Sequence, residues 1–374
     1  MHHQHFGNAD SAITIDLDAI IANWRYIDSL SAPKTKTAAV VKANGYGLGS
    51  CAIATALAQG GCELFFVASL TEAIELRSAF RQTGHGDLPI MVLHGVQRGQ
   101  EADFATHHLE PVLNDLEQIS RWRLYSEKTD TTLPALLHFD TGMNRLGLDA
   151  DQADWLIQNK EALNGLKLTY VMSHLVSGEL INEPVNVRQL NSFNKFHSSF
   201  SNIPASIANS AGSFLGSDYH FSMTRPGIAL FGIHPFEDLD SPLRPAFDWQ
   251  VRILQVRNAA AGDKVGYGGT HQLDRDSQIA TLGVGYADGY RRQLGGMATV
   301  AIGGRTAPVI GRVSMDSITV DVTGFDQETL STGKASLVHA DYGVEKMAND
   351  VGTIPYEIMT GLGHRAERHY RGGS

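Results

Sequence analysis

Between residues 37 and 235, short apolar runs alternate with helix-patterned segments, and this alternation restricts the chain to a parallel sheet with helical crossovers. Runs at 37–41, 64–68, 89–93, 111–113, 135–139, 168–172, 205–208 and 228–231 are short and aliphatic, as buried parallel strands are. Helical spacing fills the intervals at 52–59, 72–80, 116–125, from 151 onward and at 186–200. About eight such βα units favour an α/β fold of the closed (β/α)8 TIM-barrel type over an open sheet. Upstream, residues 12–17 alternate like a half-buried strand. Asp18 can cap a helix carrying Ile20, Ile21, Trp24 and Ile27.

From about Pro242 the pattern changes. Short alternating runs at 249–256, 278–284, 299–302 and 317–322 are separated by glycine-rich turns, which predicts an all-β C-terminal domain after a proline-rich linker at 241–245. A chain of 374 residues suits such a two-domain layout, and 43% apolar with 19% charged residues supplies a core without a disorder signature. A formal charge of −10 and the lack of a basic run argue against nucleic acid as a partner and favour small-molecule chemistry. Cys51 and Cys62 form neither a disulfide framework nor a metal motif, which fits a reducing cytoplasm. No stretch reaches membrane-spanning length and the N-terminus lacks a signal-type apolar region, so neither a membrane nor export is expected. His2, His3 and His5 read as a frayed tail rather than a metal tract.

Lys42 ends the 37–41 run and leads directly into N-G-Y-G-L-G, where Gly45, Gly47 and Gly49 permit tight turning around Tyr46. Strand C-termini are where barrel folds keep their chemistry, so Lys42 is a candidate catalytic group. Alone, a strand-terminal lysine more often reaches out to solvent. The segment V-V-K-A-N-G-Y-G-L-G at 40–49, however, closely resembles the cofactor-lysine motif of the alanine racemase family, whose enzymes use pyridoxal 5'-phosphate (PLP). The resemblance implies that Lys42 carries the cofactor and that Tyr46 contacts its phosphate. Further segments resemble the family in order and spacing from Val40 to Tyr356. The family layout implies a barrel at 18–240, a β domain at 241–374 and an N-terminal strand within 1–17 that joins the β domain.

His174 follows the 168–172 run, and the resemblance makes it the residue packed against the PLP ring. Asn209-Ser210 follows the 205–208 run and can offer a hydroxyl and amides to a phosphate, although Asn-Ser is also common turn chemistry. Gly227 and Ile228, in T-R-P-G-I, fall in the late barrel loops where backbone amides commonly bind phosphate. Arg225 resembles the family arginine that faces the pyridine nitrogen. Because a guanidinium keeps its proton at neutral pH, it would leave that nitrogen largely unprotonated and weaken the electron sink. This suits racemisation over side reactions.

In I-A-T-L-G-V-G-Y-A-D-G at 279–289, Tyr286 matches the family's second base. Racemisation removes a proton from one face of Cα and delivers one to the other, and Lys42 with Tyr286 provides two bases. Such side chains ordinarily hold their protons at neutral pH, so the site must ease their loss. G-R-V-S-M-D at 311–316 matches the segment whose Met315-Asp316 pair holds the substrate carboxylate. In the family, this pair and the tyrosine come from the partner subunit of a homodimer. T-I-P-Y-E at 353–357 resembles the late family segment, which implies that Tyr356 is a phosphate or pocket ligand. D-T-G-M-N-R-L-G at 140–147 also matches the family, and the resemblance implies that Arg145 contacts the substrate carboxylate. One departure stands out. Two residues before Asp140 the family usually has a lysine, often carbamylated, that positions this arginine, and this chain has His138. Asn144 and Ser314 also differ from the more typical Gly and Cys.

The expected function is therefore PLP-dependent racemisation of alanine, supplying D-alanine for peptidoglycan. The rivals are a racemase of broader substrate range, a decarboxylase on the same barrel, and a non-catalytic PLP-binding protein. The last lacks a β domain, and the motif around Tyr286 argues against the decarboxylase.

Overall fold

The strand Ala39–Val40 begins a parallel sheet that runs, each strand beside the next, through Phe65–Val67, Ile90–Val92, Glu110–Leu113, Leu133–His138, Leu166–Met172 and Ala205–Ser206. The computed structural model describes residues 9–236 and 241–373, so the histidine tail lies outside the described residues. Met223–Thr224 closes the ring. Ser222 N and Arg225 N donate to Ala205 O and Ala208 O on one side, and Lys36, Ala38 and Val40 donate to Ser222 O, Thr224 O and Pro226 O on the other. The result is the expected eight-stranded barrel. Its interior is an apolar layer of Ala38, Val40, Phe66, Met91, Val112 and Leu136, continued by Met172 and Met223, all buried. Full burial explains why these strands read as continuous apolar runs rather than as alternation.

The run at 228–231 is not a strand. It forms the 3-10 helix Ile228–Phe231, with all four residues buried. An apolar run buried on every side has no periodicity to distinguish strand from helix. The eighth strand is instead the two-residue segment Met223–Thr224, whose Thr and flanking Arg225 hide it from an apolar-run search.

At the N-terminal ends of the strands, Arg77 is almost wholly buried and satisfies four carbonyls. Nε donates to His107 O at 3.0 Å, Nη1 to Leu88 O at 2.9 Å and to Gly86 O, and Nη2 to His108 O at 2.9 Å. These carbonyls lie in the loops entering strands Ile90–Val92 and Glu110–Leu113, the end of a barrel associated with stability rather than chemistry.

The second unit comprises residues up to 16, 46–48 and 246–372. Its eight-stranded sheet runs in the order Ser277–Leu282, Ile318–Asp321, Arg305–Ile310, Thr299–Ile302, Lys334–Ser336, Phe247–Ala259, Ser11–Asp16 and Glu367–Arg371. The first strand of that series pairs again with the long strand Phe247–Ala259, curling six strands into a closed turn of sheet. Ser11–Asp16 lies antiparallel to Phe247–Ala259 and parallel to Glu367–Arg371, burying Ile13 and Ile15 completely. The unit is not purely β, because Gln327–Ser331, Val344–Asp350 and Pro355–Thr360 are short helices. No helix among the described residues is long and apolar enough to cross a membrane.

Replacing Arg77 by methionine keeps the bulk and strips four buried carbonyls of their donors. An Arg77→Met variant is expected to lose roughly 2–5 kcal/mol in urea unfolding. An unchanged midpoint would show that the network is not stabilising.

Candidate active site

Lys42 stands at the C-terminal end of the first barrel strand, immediately before a left-handed turn. Ala43, Asn44, Gly45 and Tyr46 have φ of 52°, 53°, 61° and 55°. The glycines alone do not make this turn, because three L side chains also sit in the left-handed region, each at a cost on the order of 1–2 kcal/mol. Several bonds hold it. Gly45 N donates to Val41 O at 2.9 Å, Asn44 Oδ1 accepts from Ser50 N at 3.1 Å and so caps the helix Ser50–Gln59, and Ala43 N donates to Glu72 Oε1 at 2.6 Å. Burial lowers the proton affinity of Lys42, the Arg145 and Arg225 cations lower it further, and Glu72 opposes them. The amine is thus easier to deprotonate than a solvated lysine.

Arg225, directly after the closing strand, is buried, and its hydrogen-bond acceptors are neutral. Nη1 donates to Ser206 Oγ, and Nη2 donates to Ser173 O at 2.6 Å and lies 3.5 Å from His174 Nδ1. Burial pulls its proton affinity down, yet a guanidinium starting near 12.5 stays cationic at neutral pH. His174 is held well below the usual histidine range by burial first, then by Arg225 and Arg145, so it is a neutral ring. Asn209 Nδ2 approaches its Nε2 at 3.5 Å, and Asn209 Oδ1 accepts from Gly212 N at 3.0 Å. Ser210 Oγ accepts from Gly227 N at 2.8 Å and from Ala229 N at 3.4 Å, on either side of Ile228. An oxygen already accepting two amides has its own proton to donate, which suits an incoming anion.

Arg145 rides on the loop that leaves the Leu133–His138 strand. Asp140 Oδ1 accepts from Gly142 N and Met143 N, both at 2.9 Å, and Leu148 N returns to His138 O at 2.7 Å, closing the loop. Gly147 is required here because a Cβ would meet Asp140 N at 2.7 Å and the His138 ring at 3.2 Å. His138 Nδ1 lies 2.8 Å from Asn114 Oδ1. The Asn114 amide group donates to Leu93 O and Val112 O at 3.0 and 2.8 Å, which fixes its orientation. His138 therefore carries its proton on Nδ1 and keeps a lone pair on Nε2. Burial, then Arg225 and Arg145, push its pKa down to about 3.

In the second unit, Tyr286, Met315 and Asp316 are brought together. Tyr286 N donates to Ser314 O and Ala287 N to Met315 O, both at 3.1 Å. Gly285 admits this approach, since any Cβ there would collide with Met315 O. Arg365 binds Asp288 through Nε and Nη2 at 2.7 and 2.8 Å and reaches Asp316 Oδ1 with Nη1 at 2.7 Å, while Asp288 Oδ2 accepts from Gly285 N at 2.9 Å. One arginine thus ties the tyrosine turn to the Met-Asp segment. Tyr286 and Met315 are about half exposed. Tyr46 and Tyr356 pair with ring centroids 6.0 Å apart, and burial raises the Tyr46 hydroxyl above the usual range.

Glu72, Asn114, Gln189 and Arg365 escape the sequence reading. Gln189 is fully buried and donates to His174 O at 2.9 Å and Thr141 Oγ1 at 3.2 Å, joining two active loops. Only Glu72 leaves a sequence signal, the Ser69-Leu70-Thr71-Glu72 capping box, and that signal says nothing about its reach to Ala43.

The barrel site fits a phosphorylated, carbonyl-bearing cofactor. It offers an eased amine at Lys42, a hydroxyl for phosphate at Ser210 braced by the amides of Gly227 and Ala229, and a buried guanidinium with neutral partners at Arg225. A barrel with this lysine, followed by a largely antiparallel sheet domain, defines the class of barrel-type PLP enzymes. Comparison with known proteins narrows it. The family models described as "Alanine racemase, N-terminal domain" and "Alanine racemase, C-terminal domain" match residues 15–235 and 246–370. The alanine racemase of Brucella abortus is 42% identical over 97% of this chain and 94% of its own length, and that of Rickettsia conorii is 41% identical over 96% and 99%. Among solved structures, alanine racemase from Bartonella henselae with covalently bound pyridoxal phosphate superposes with a TM-score of 0.91 at 38% identity, covering 97% of this chain and all of that one. The biosynthetic alanine racemase of Pseudomonas aeruginosa gives 0.86 at 31% identity, with 97% of this chain and 100% of that one covered. The chain belongs to the alanine racemase family, the PLP-dependent isomerases.

The neutral state of His138 makes stability depend on pH. An exposed histidine takes a proton near 6.5, whereas folded His138 stays neutral down to about 3, so its contribution is fully present above 6.5 and is lost as pH falls toward 3. Relative to a His138→Gln variant, the native chain is expected to lose roughly 3 kcal/mol of urea-unfolding free energy between pH 8 and pH 4. Parallel profiles for the two proteins would refute the assignment.

Proposed function

We propose that this chain is an alanine racemase interconverting L- and D-alanine by a two-base mechanism, with Lys42 and Tyr286 as the bases. The observation that carries the reading is the partly buried Lys42 amine at a barrel-strand end, eased toward its neutral form by burial first and then by Arg145 and Arg225, with Glu72 opposing. Such a surplus of positive charge suits a phosphate and a substrate carboxylate bound together. When bound, PLP supplies the electron sink that acidifies the substrate Cα–H.

The roles of the protein groups follow from their chemistry. Ser210 Oγ and the amides of Gly227 and Ile228 hold phosphate, Tyr46 and Tyr356 complete its surroundings, and Arg145 holds the substrate carboxylate with Met315 and Asp316. His174, neutral and fixed by Gln189, presents a ring for the cofactor to pack against, beside Asn209. Arg225, unable to release its proton, would hold the pyridine nitrogen of a bound cofactor unprotonated and so moderate its electron sink. A moderated sink would favour return of a proton to Cα over side reactions. Lys42 Nζ takes or gives the proton on one face of Cα and Tyr286 Oη on the other.

The second base comes, in this reading, from another copy of the chain in a homodimer. The exposed Tyr286, Met315, Ile354 and Tyr356 offer the apolar surface that such a partner would cover. The setting proposed is the cytoplasm, with D-alanine going to peptidoglycan. A racemase of broader range is the second reading, favoured by His138 in place of the usual lysine.

Exchange of the α-proton of L-alanine, L-serine, L-lysine and L-arginine in D₂O with PLP separates these readings. Exchange with D-isomer formation for alanine alone supports the first, comparable rates on the longer side chains the second, and none on any substrate a binding protein. A Tyr286→Phe variant is expected to lose about 10²–10⁴-fold in racemisation while retaining exchange from one enantiomer only. Full activity would remove Tyr286 from the mechanism. Mixing inactive Lys42→Ala and Tyr286→Phe chains is expected to restore up to about a quarter of native activity under random exchange of subunits. No recovery would argue against shared sites.

A further inference from the structure

Glu72 joins three places that the proposed chemistry needs to hold still. One carboxylate oxygen accepts from Ala43 N at 2.6 Å, and the other accepts from Ala68 N at 2.7 Å and Ser69 N at 3.3 Å. Ala43 is the first residue of the left-handed turn after Lys42, and Ala68 directly follows the neighbouring strand Phe65–Val67. Glu72 is also the third residue of the helix Leu70–Gln82, where Ser69 Oγ accepts from Glu72 N at 3.4 Å in a capping box. A capping glutamate ordinarily needs only the Ser69 amide. Here the side chain spends its shorter bonds elsewhere, on Ala43 and Ala68.

We propose that Glu72 is a positioning residue for Lys42, its carboxylate clamping the first amide of the left-handed turn to the end of the adjacent strand and setting a negative charge against the Lys42 amine. The assignment rests on the reading of Lys42 as the cofactor lysine. Geometry supplies the first part. A turn with three L residues at positive φ persists only where its surroundings over-determine it, and the Ala43 amide is its entry point. Electrostatics supplies the second. Arg145, Arg225 and the neutral His174 face the same amine, and Glu72 is the group that favours its protonated form. Glu72 does not touch the reacting atoms in this assignment. It acts through where Lys42 stands and how tightly it holds a proton.

Three variants of the PLP-loaded enzyme separate clamp, charge and cap. Glu72→Gln removes the charge and places an amide donor against a backbone donor. Glu72→Asp keeps the charge but is one methylene too short to reach both amides. Ser69→Ala breaks the other half of the capping box and leaves Ala43 untouched. Borohydride reduction of the native holoenzyme, followed by peptide mapping, first locates the trapped PLP. Two quantities are then read for each protein, the pH midpoint of the bound cofactor's visible absorbance and the rate at which PLP dissociates into a scavenger.

The midpoint is expected to fall by about one pH unit in Glu72→Gln, a tenfold change in the proton equilibrium, and to stay at the native value in Glu72→Asp and Ser69→Ala. PLP dissociation is expected to accelerate about tenfold or more in both Glu72 variants and not in Ser69→Ala. Native midpoints and dissociation rates in both Glu72 variants overturn the proposal, as does a Ser69→Ala variant that reproduces their changes. Trapping of PLP on a lysine other than Lys42 overturns the functional reading itself, and this assignment with it.

Discussion

The barrel mouth is held together against its own charge. Arg225 is buried, Lys42 is partly so, and the exposed Arg145 adds its charge from the loop above, so burial and both guanidiniums act together against the charge on Lys42. The fold tolerates this through rigid neutral acceptors. Arg225 is met by Ser173 O, Ser206 Oγ and the His174 ring, groups fixed at the ends of two neighbouring strands. A carboxylate in their place would neutralise Arg225 and remove its influence on whatever lies beside it. The unspent positive charge prepares the site for anions, and it adds to burial, the larger cause, in keeping both nearby histidines neutral.

The second unit solves a different problem with the same economy of means. Its tyrosine sits on a turn that must be both exposed and fixed. Backbone bonds from Tyr286 and Ala287 to Ser314 and Met315 set the turn, and Arg365 locks it by gripping Asp288 with two nitrogens and Asp316 with the third. A bidentate arginine–carboxylate pair constrains direction as well as distance, which a lone surface pair does not. Exposure of the tyrosine therefore does not mean freedom of the backbone that carries it.

Much of this was legible in the chain. Fully buried strands announce themselves as apolar runs, so seven barrel strands could be read directly, and the eighth was missed because a two-residue strand followed by Arg225 has no run to see. The apolar run at 228–231 misled for the converse reason, burial on all sides without a period. The residues that touch substrate or cofactor in the proposed mechanism lie in motifs and could be named. Those that hold them, Glu72, Asn114, Gln189 and Arg365, could not. Each acts across a long sequence separation, Glu72 on Ala43 and Arg365 on Asp288, and no local pattern encodes such a pairing.

His138 shows how a substituted residue can be absorbed without disturbing the charge balance. A bare lysine at this place would add a fourth cation beside Arg145 and Arg225, which is why an added carboxylate on that lysine makes electrostatic sense in relatives that have one. A histidine avoids the addition by another route. Asn114, its amide oriented by two carbonyls, can only accept from Nδ1, and burial with the neighbouring cations keeps the ring neutral. The Nε2 lone pair that remains is an acceptor, the one polarity that suits a surrounding of guanidinium donors. The site therefore keeps an acceptor lone pair at this position without adding a fourth cation.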